Sequence, residues 1–183
     1  MVIKVLFFDT SALIKMFVKE AGTQNVKWLT SSDNKVINSL HFVVNEQVCI
    51  EFDQKLKDFA CSGVLSADKA DRIKSSFARN YKGKYFRVIG QEIISNTKQE
   101  VSIDAIAKDL NLKASTNDWD GLIYQSIVNA LAYLGGDSHP ILVTCDVKFG
   151  KKVSSKGYRV INPEKQTLDE IRAILDNLPS IEG

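Results

Sequence analysis

Two short apolar runs in this chain, residues 2–8 and 141–145, each stop at an aspartate, Asp9 and Asp146. Runs of that length, rich in Val, Ile, Leu and Phe, read as strands buried on both faces, the kind found in helix-covered parallel sheets. After the first, Asp9, Thr10 and Ser11 are favoured N-cap types, and residues 12–17 then begin a helix. Parallel strands end on one rim, so the two aspartates are expected side by side. In open α/β sheets that rim is where ligands bind.

Further strand-like segments at residues 35–38, 85–89 and 158–161 alternate with helical stretches at 40–60, from 66, at 91–110, from a cap at Asn117 or Asp118 to Leu134, and at 167–178. The alternation predicts the α/β class: a three-layer α/β/α sandwich around a central, mostly parallel sheet of about four or five strands. The 183 residues contain no repeat, low-complexity tract or linker, so one domain over 1–183 is expected, with a helical excursion around 66–83. A hydrophobic fraction of 44% with 25% charged residues excludes a disordered chain or a coiled coil. No apolar run approaches the roughly 18 residues of a membrane span. Cys49, Cys61 and Cys145 are odd in number and lack C-x-x-C spacing, against a disulfide framework. A soluble, cytoplasmic protein with no membrane partner is expected.

Two more acids are placed to join the rim. Asp120 falls in the first turn of the helix that carries Leu122 to Leu134, and Glu46 lies in the helix over 40–60 near Val43 and Ile50. Each acid alone has a plain structural account: Asp9 as an N-cap, Asp146 as a turn residue, Asp120 as a complement to the helix dipole, Glu46 as part of a solvated face. Converging carboxylates repel, however, and need a cation to stay ionised. Oxygen donors without His or Cys point to Mg²⁺ or Mn²⁺ rather than zinc. His41 and His139 have no metal-ligand spacing.

The formal charge of +2 does not announce a nucleic-acid partner. Resolved by position, it conceals a basic stretch over 66–87, where Lys69, Arg72, Lys74, Arg79, Lys82, Lys84 and Arg87 outnumber Asp68 and Asp71. Phe77, Tyr81, Tyr85 and Phe86 interleave with them, either stacking on unpaired bases or facing the core, the core being the stronger expectation. A second cluster, Lys148, Lys151, Lys152 and Lys156, follows Asp146 directly and is the better candidate for backbone phosphates.

The run Phe7-Phe8-Asp9-Thr10-Ser11-Ala12-Leu13-Ile14-Lys15, followed by Glu20-Ala21-Gly22-Thr23, resembles the opening motif of PIN-domain ribonucleases. Ser39-Leu40 with Asn45-Glu46 is similar to the second segment in an archaeal-looking form. Trp119-Asp120-Gly121-Leu122-Ile123 is similar to the third, with Gly121 where Ala is usual. Thr144-Cys145-Asp146 and then Gly157-Tyr158-Arg159 resemble the closing motif. The resemblance implies metal-binding, catalytic acids at Asp9, Glu46, Asp120 and Asp146, with Thr10, Ser11 and Thr144 as polar supports. Glu51 competes weakly with Glu46, and Asp118 either caps its helix or adds an acid. The implied activity is Mg²⁺- or Mn²⁺-dependent hydrolysis of RNA phosphodiester bonds. The implied setting is a VapC-type toxin, a homodimer blocked by a VapB-like antitoxin. The alternatives are a housekeeping PIN nuclease in RNA processing or decay, or a silent scaffold that binds RNA or protein. A haloacid-dehalogenase-type phosphatase would want a second aspartate two positions after Asp9, where Ser11 stands.

Overall fold

The computed structural model describes residues 3–37, 39–89, 120–121, 123–124, 127–128 and 138–177. Five parallel strands form one sheet: β1 (Ile3–Phe8), β2 (Leu40–Asn45), β3 (Arg87–Ile89), β4 (Ser138–Val143) and β5 (Arg159–Ile161). Their order is β3-β2-β1-β4-β5. The chain therefore winds outward from β1 on one side, then crosses back to build β4 and β5 on the other. Helices flank the sheet, giving the α/β/α sandwich expected from the alternation: α1 (Thr10–Leu13), which continues as a 3₁₀ turn over Ile14–Met16, α2 (Thr23–Leu29), α3 (Ser32–Ile37), α4 (Glu46–Cys61), α5 (Ala67–Ser76), α6 (Val147–Ser155) and α7 (Leu168–Asp176).

The central strand explains the continuous apolar run. Val5, Leu6, Phe7 and Phe8 of β1 are all buried, as are Ile141, Leu142 and Val143 of β4 beside it. Both faces of this sheet are covered, so no polar alternation is needed. The buried apolar residues form one cluster across sheet and helices.

Two elements depart from the sequence reading. Residues 35–38, expected as a strand, belong mostly to α3, whose first turn is held by the Ser31 hydroxyl accepting from the Asn34 amide at 3.2 Å. The strand beside β1 is instead Leu40–Asn45, which had been read as the start of a long helix. Leu40, Phe42, Val43 and Val44 are all buried. A short run buried on both faces carries no period that separates strand from helix. Asn45 then caps α4, its side chain accepting from the Gln47 amide at 2.9 Å, so the helix begins only at Glu46.

The excursion at 66–83 comprises α5 and a π turn over Phe77–Tyr81, and it packs back on α4. Phe77 meets Phe52 at 4.7 Å between ring centroids, and Lys74 pairs with Asp53 at 2.7 Å. Phe77 and Phe86 are buried, and the Tyr85 hydroxyl donates to the Thr30 carbonyl. The aromatics of the basic stretch thus serve the core, while its Lys and Arg side chains are exposed. The helix expected over 91–110 and the acid Asp118 lie outside the described residues. Among the described residues no helix is long and apolar enough to cross a membrane.

Candidate functional site

The strand order reverses between β1 and β4, and this seam is where a doubly wound sheet opens a crevice at its carboxyl edge. Ladder bonds continue one residue beyond the strands: the Asp9 amide donates to the Val143 carbonyl and the Thr144 amide to the Ile161 carbonyl, both at 3.0 Å. Backbone pairing therefore fixes the first residues of the rim.

Asp9 occupies the N-cap position of α1, yet its side chain makes no cap bond to the helix. Its Oδ2 accepts instead from the Ser11 hydroxyl at 2.6 Å and the Thr144 hydroxyl at 2.7 Å. Ser11 Oγ in turn accepts from the Cys145 amide at 2.9 Å, and Thr144 Oγ1 from the Asp146 amide at 3.0 Å. Two hydroxyls thus bridge the seam and tie the two strand ends together. Burial pushes the Asp9 carboxyl pKa up, the Asp146 charge adds to this, and the two hydroxyl bonds act the other way.

Asp146 caps α6: its Oδ1 accepts from the Lys148 amide at 2.7 Å and the Phe149 amide at 2.9 Å. The plain account of Asp146 as a turn residue is thus replaced by an N-cap, and the same side chain also lines a cavity of about 650 Å³ with Asp9 and Asp120. Asp120 is helical, and the neighbouring Ile123, Tyr124 and Ile127 anchor it in the core. Its carboxyl is pushed up to about 7, mainly by burial, then by the charges of Asp9, Asp146 and Glu51, with Lys152 opposing. The acids at the rim lie within one another's fields.

Glu46 does not join them. It is exposed at the first position of α4, and the cavity is lined from that helix by Glu51. The reason is geometric: at 3.6 residues per turn, five positions rotate a side chain by about 140°, to a different face. The Thr10 hydroxyl donates to Glu51 Oε2 at 2.7 Å and holds it at the rim. Glu51 is the residue that sequence reasoning underweighted. The signal was its position one residue before Phe52, beside the buried stripe of Val48, Phe52 and Leu56.

Sequence reasoning also assigned no role to Lys15, which is buried on the cavity wall and pairs with Glu20 at 2.9 Å and Glu164 at 2.6 Å. The loop carrying Glu164 approaches so closely that a Cβ on Gly22, at φ +79, would lie 2.7 Å from the Pro163 carbonyl oxygen. Of the four lysines after Asp146, the charge of Lys152 acts on Asp120, while Lys151 lines a second groove that shares Asp146 with the cavity.

Neither histidine lines the cavity. Cys145 does, but burial pushes its thiol up to about 12, so it stays protonated near neutral pH. The donors are therefore carboxylate and hydroxyl oxygens, hard ligands that suit Mg²⁺ or Mn²⁺. Among the described residues no three ligating side chains stand close enough to form a ready-made cage. Mg²⁺ commonly takes only one or two carboxylates and keeps several waters, so an open acidic rim fits it. No protein-family model matches the chain, and no curated protein matches it.

Proposed function

We propose that this protein is a Mg²⁺- or Mn²⁺-dependent endoribonuclease of the PIN-domain type. The observation that carries the reading is the gathering of Asp9, Glu51, Asp120 and Asp146 around one cavity at the β1/β4 seam. Glu20 and Glu164 on the same cavity are paired with Lys15, whereas these four carboxylates raise one another's proton affinity unless a cation shares them. A bound divalent ion would supply that neutralisation and a more acidic water for attack on a phosphodiester. Asp9 and Asp146 would hold the ion, with Glu51 and Asp120 lining the same cavity. Ser11, Thr144 and Thr10 keep these carboxylates oriented through the hydrogen bonds described above. Lys152, whose charge acts on Asp120, would meet a phosphate near the acids, and Lys148, Lys151 and Lys156 extend the basic surface of α6 and its C-terminal end.

The motif resemblance supports the finer reading of a VapC-type toxin acting as a homodimer under a VapB-like antitoxin. A short reading frame immediately upstream encoding such a partner would favour it over a housekeeping nuclease.

The decisive assay follows cleavage of single-stranded RNA with and without added Mg²⁺ or Mn²⁺. Asp9→Asn and Asp146→Asn should each abolish cleavage while circular dichroism stays unchanged. Metal-dependent activity retained in either folded variant overturns the proposal. A wild type that binds RNA or a protein without cleaving would be a scaffold.

A further inference from the structure

We propose that Lys55 and Phe59 form a strand-binding subsite beside the acids, in which Lys55 takes a backbone phosphate and Phe59 stacks on an unpaired base. The proposal rests on the nuclease reading and adds to it the residues that would select a single strand.

Glu51, Lys55 and Phe59 follow one another at four-residue spacing on α4, and all three line the acidic cavity. Such spacing keeps side chains on one face. With a rise of 1.5 Å per residue, Lys55 stands about 6 Å and Phe59 about 12 Å along the axis from Glu51. A strand with its phosphate at the acids would therefore run along this face. Lys55 is exposed and has no ion pair among the described residues, whereas Lys74 nearby is engaged by Asp53. Phe59 packs part of its side chain against the core and leaves the rest exposed at the cavity, and among the described residues no aromatic ring stacks on it. Phe77 and Tyr81, by contrast, are both occupied against Phe17. A cavity of about 650 Å³ also exceeds what a hydrated ion needs and falls in the range of organic ligand sites. A cation and an aromatic ring lining an acidic crevice match the way single strands are held, by phosphate contact and stacking. A paired base has no free face to offer.

The test uses the full chain in EDTA with a short single-stranded RNA carrying 2-aminopurine, and the same sequence as a duplex. Wild type should bind the single strand more tightly and quench its fluorescence. Phe59→Leu, which keeps an apolar side chain for packing, should lose the quenching and about tenfold in affinity, the size of one lost stack. Lys55→Ala should make the salt dependence of binding shallower by about 0.7 in the log–log slope. Folded variants that quench and respond to salt as wild type does overturn the subsite, as does equal affinity for duplex. If those variants match wild type while wild type still cleaves RNA with Mg²⁺, the subsite fails and the nuclease reading stands. If wild type neither binds nor cleaves RNA, the nuclease reading itself fails.

Discussion

The Thr144 hydroxyl donates to Asp9 Oδ2 at 2.7 Å, joining the ends of β4 and β1 across 135 residues of sequence. Thr144 is fully buried and its oxygen also accepts from the Asp146 amide, so one hydroxyl orients both aspartates. Thr144→Val keeps the shape and removes both bonds. It should cost about 1–3 kcal/mol in urea unfolding, the range for leaving buried polar groups unpaired. Thr144→Ser should restore most of the loss, because the hydroxyl rather than the methyl carries the contact.

Glu51 and Glu46 separate the site geometry from the sequence pattern. Glu51→Gln should lower RNA cleavage on the order of 100-fold, as expected when a group that supports metal binding is lost. Glu46→Gln should leave cleavage near wild type, since Glu46 is exposed and outside the cavity. A readout independent of activity comes from NMR titration of Asp120. Its pKa should fall in Glu51→Gln, because one of the charges that raises it is gone, and stay unchanged in Glu46→Gln. The reverse pattern would return the second acid to Glu46.

The two strands that flank the site, β1 and β4, were legible as apolar runs ending in acids, and parallel pairing alone predicts that Asp9 and Asp146 share a rim. β2 was not legible, because Leu40, Phe42, Val43 and Val44 are buried with no alternation to mark them as strand. That single misreading propagated. With the helix drawn from residue 40, its face could not be phased, and Glu46 looked better placed than Glu51. Lys15 stands in the opening motif, yet its partner Glu164 is 149 positions away, and no local pattern encodes such a pairing.

Asp120 sets a pH dependence in the metal-free protein. Its carboxyl rises from the ordinary 3.8 to about 7 on folding, chiefly through burial and then through Asp9, Asp146 and Glu51. Between those values the folded state binds more protons than the unfolded chain, so stability falls as pH rises. Urea midpoints in EDTA should therefore decrease from pH 5 to pH 8, most steeply below pH 7 and levelling off above it. Asp9, also raised by burial, acts in the same direction. Asp120→Asn should flatten the profile, and saturating Mg²⁺ should do the same in wild type by replacing the proton as the neutralising charge. A wild-type midpoint that is constant or rises over this window contradicts the burial assigned to Asp120.

Lys15 ties the opening helical segment to the loop after β5. It is 3% exposed and holds Glu20 and Glu164, whose side chains keep 34% and 29% of their surface in water. Its ammonium stays charged, since the two carboxylates outweigh the desolvation that would lower its pKa. Lys15→Met removes the cation and leaves both acids facing the already acidic cavity. The expected cost is about 3 kcal/mol, the low end for breaking a buried pair, because each acid can recover some hydration. Changing both Glu20 and Glu164 to Gln instead strands the buried ammonium. That double variant should unfold more readily than Lys15→Met, since a buried charge without a partner costs more than two half-exposed carboxylates. Restoring either glutamate alone should recover most of the difference in urea midpoint. Equal midpoints for the two variants would show that Lys15 is hydrated in solution and that the loop is held by Asn25, which donates to the Pro163 and Gln166 carbonyls at 2.9 Å.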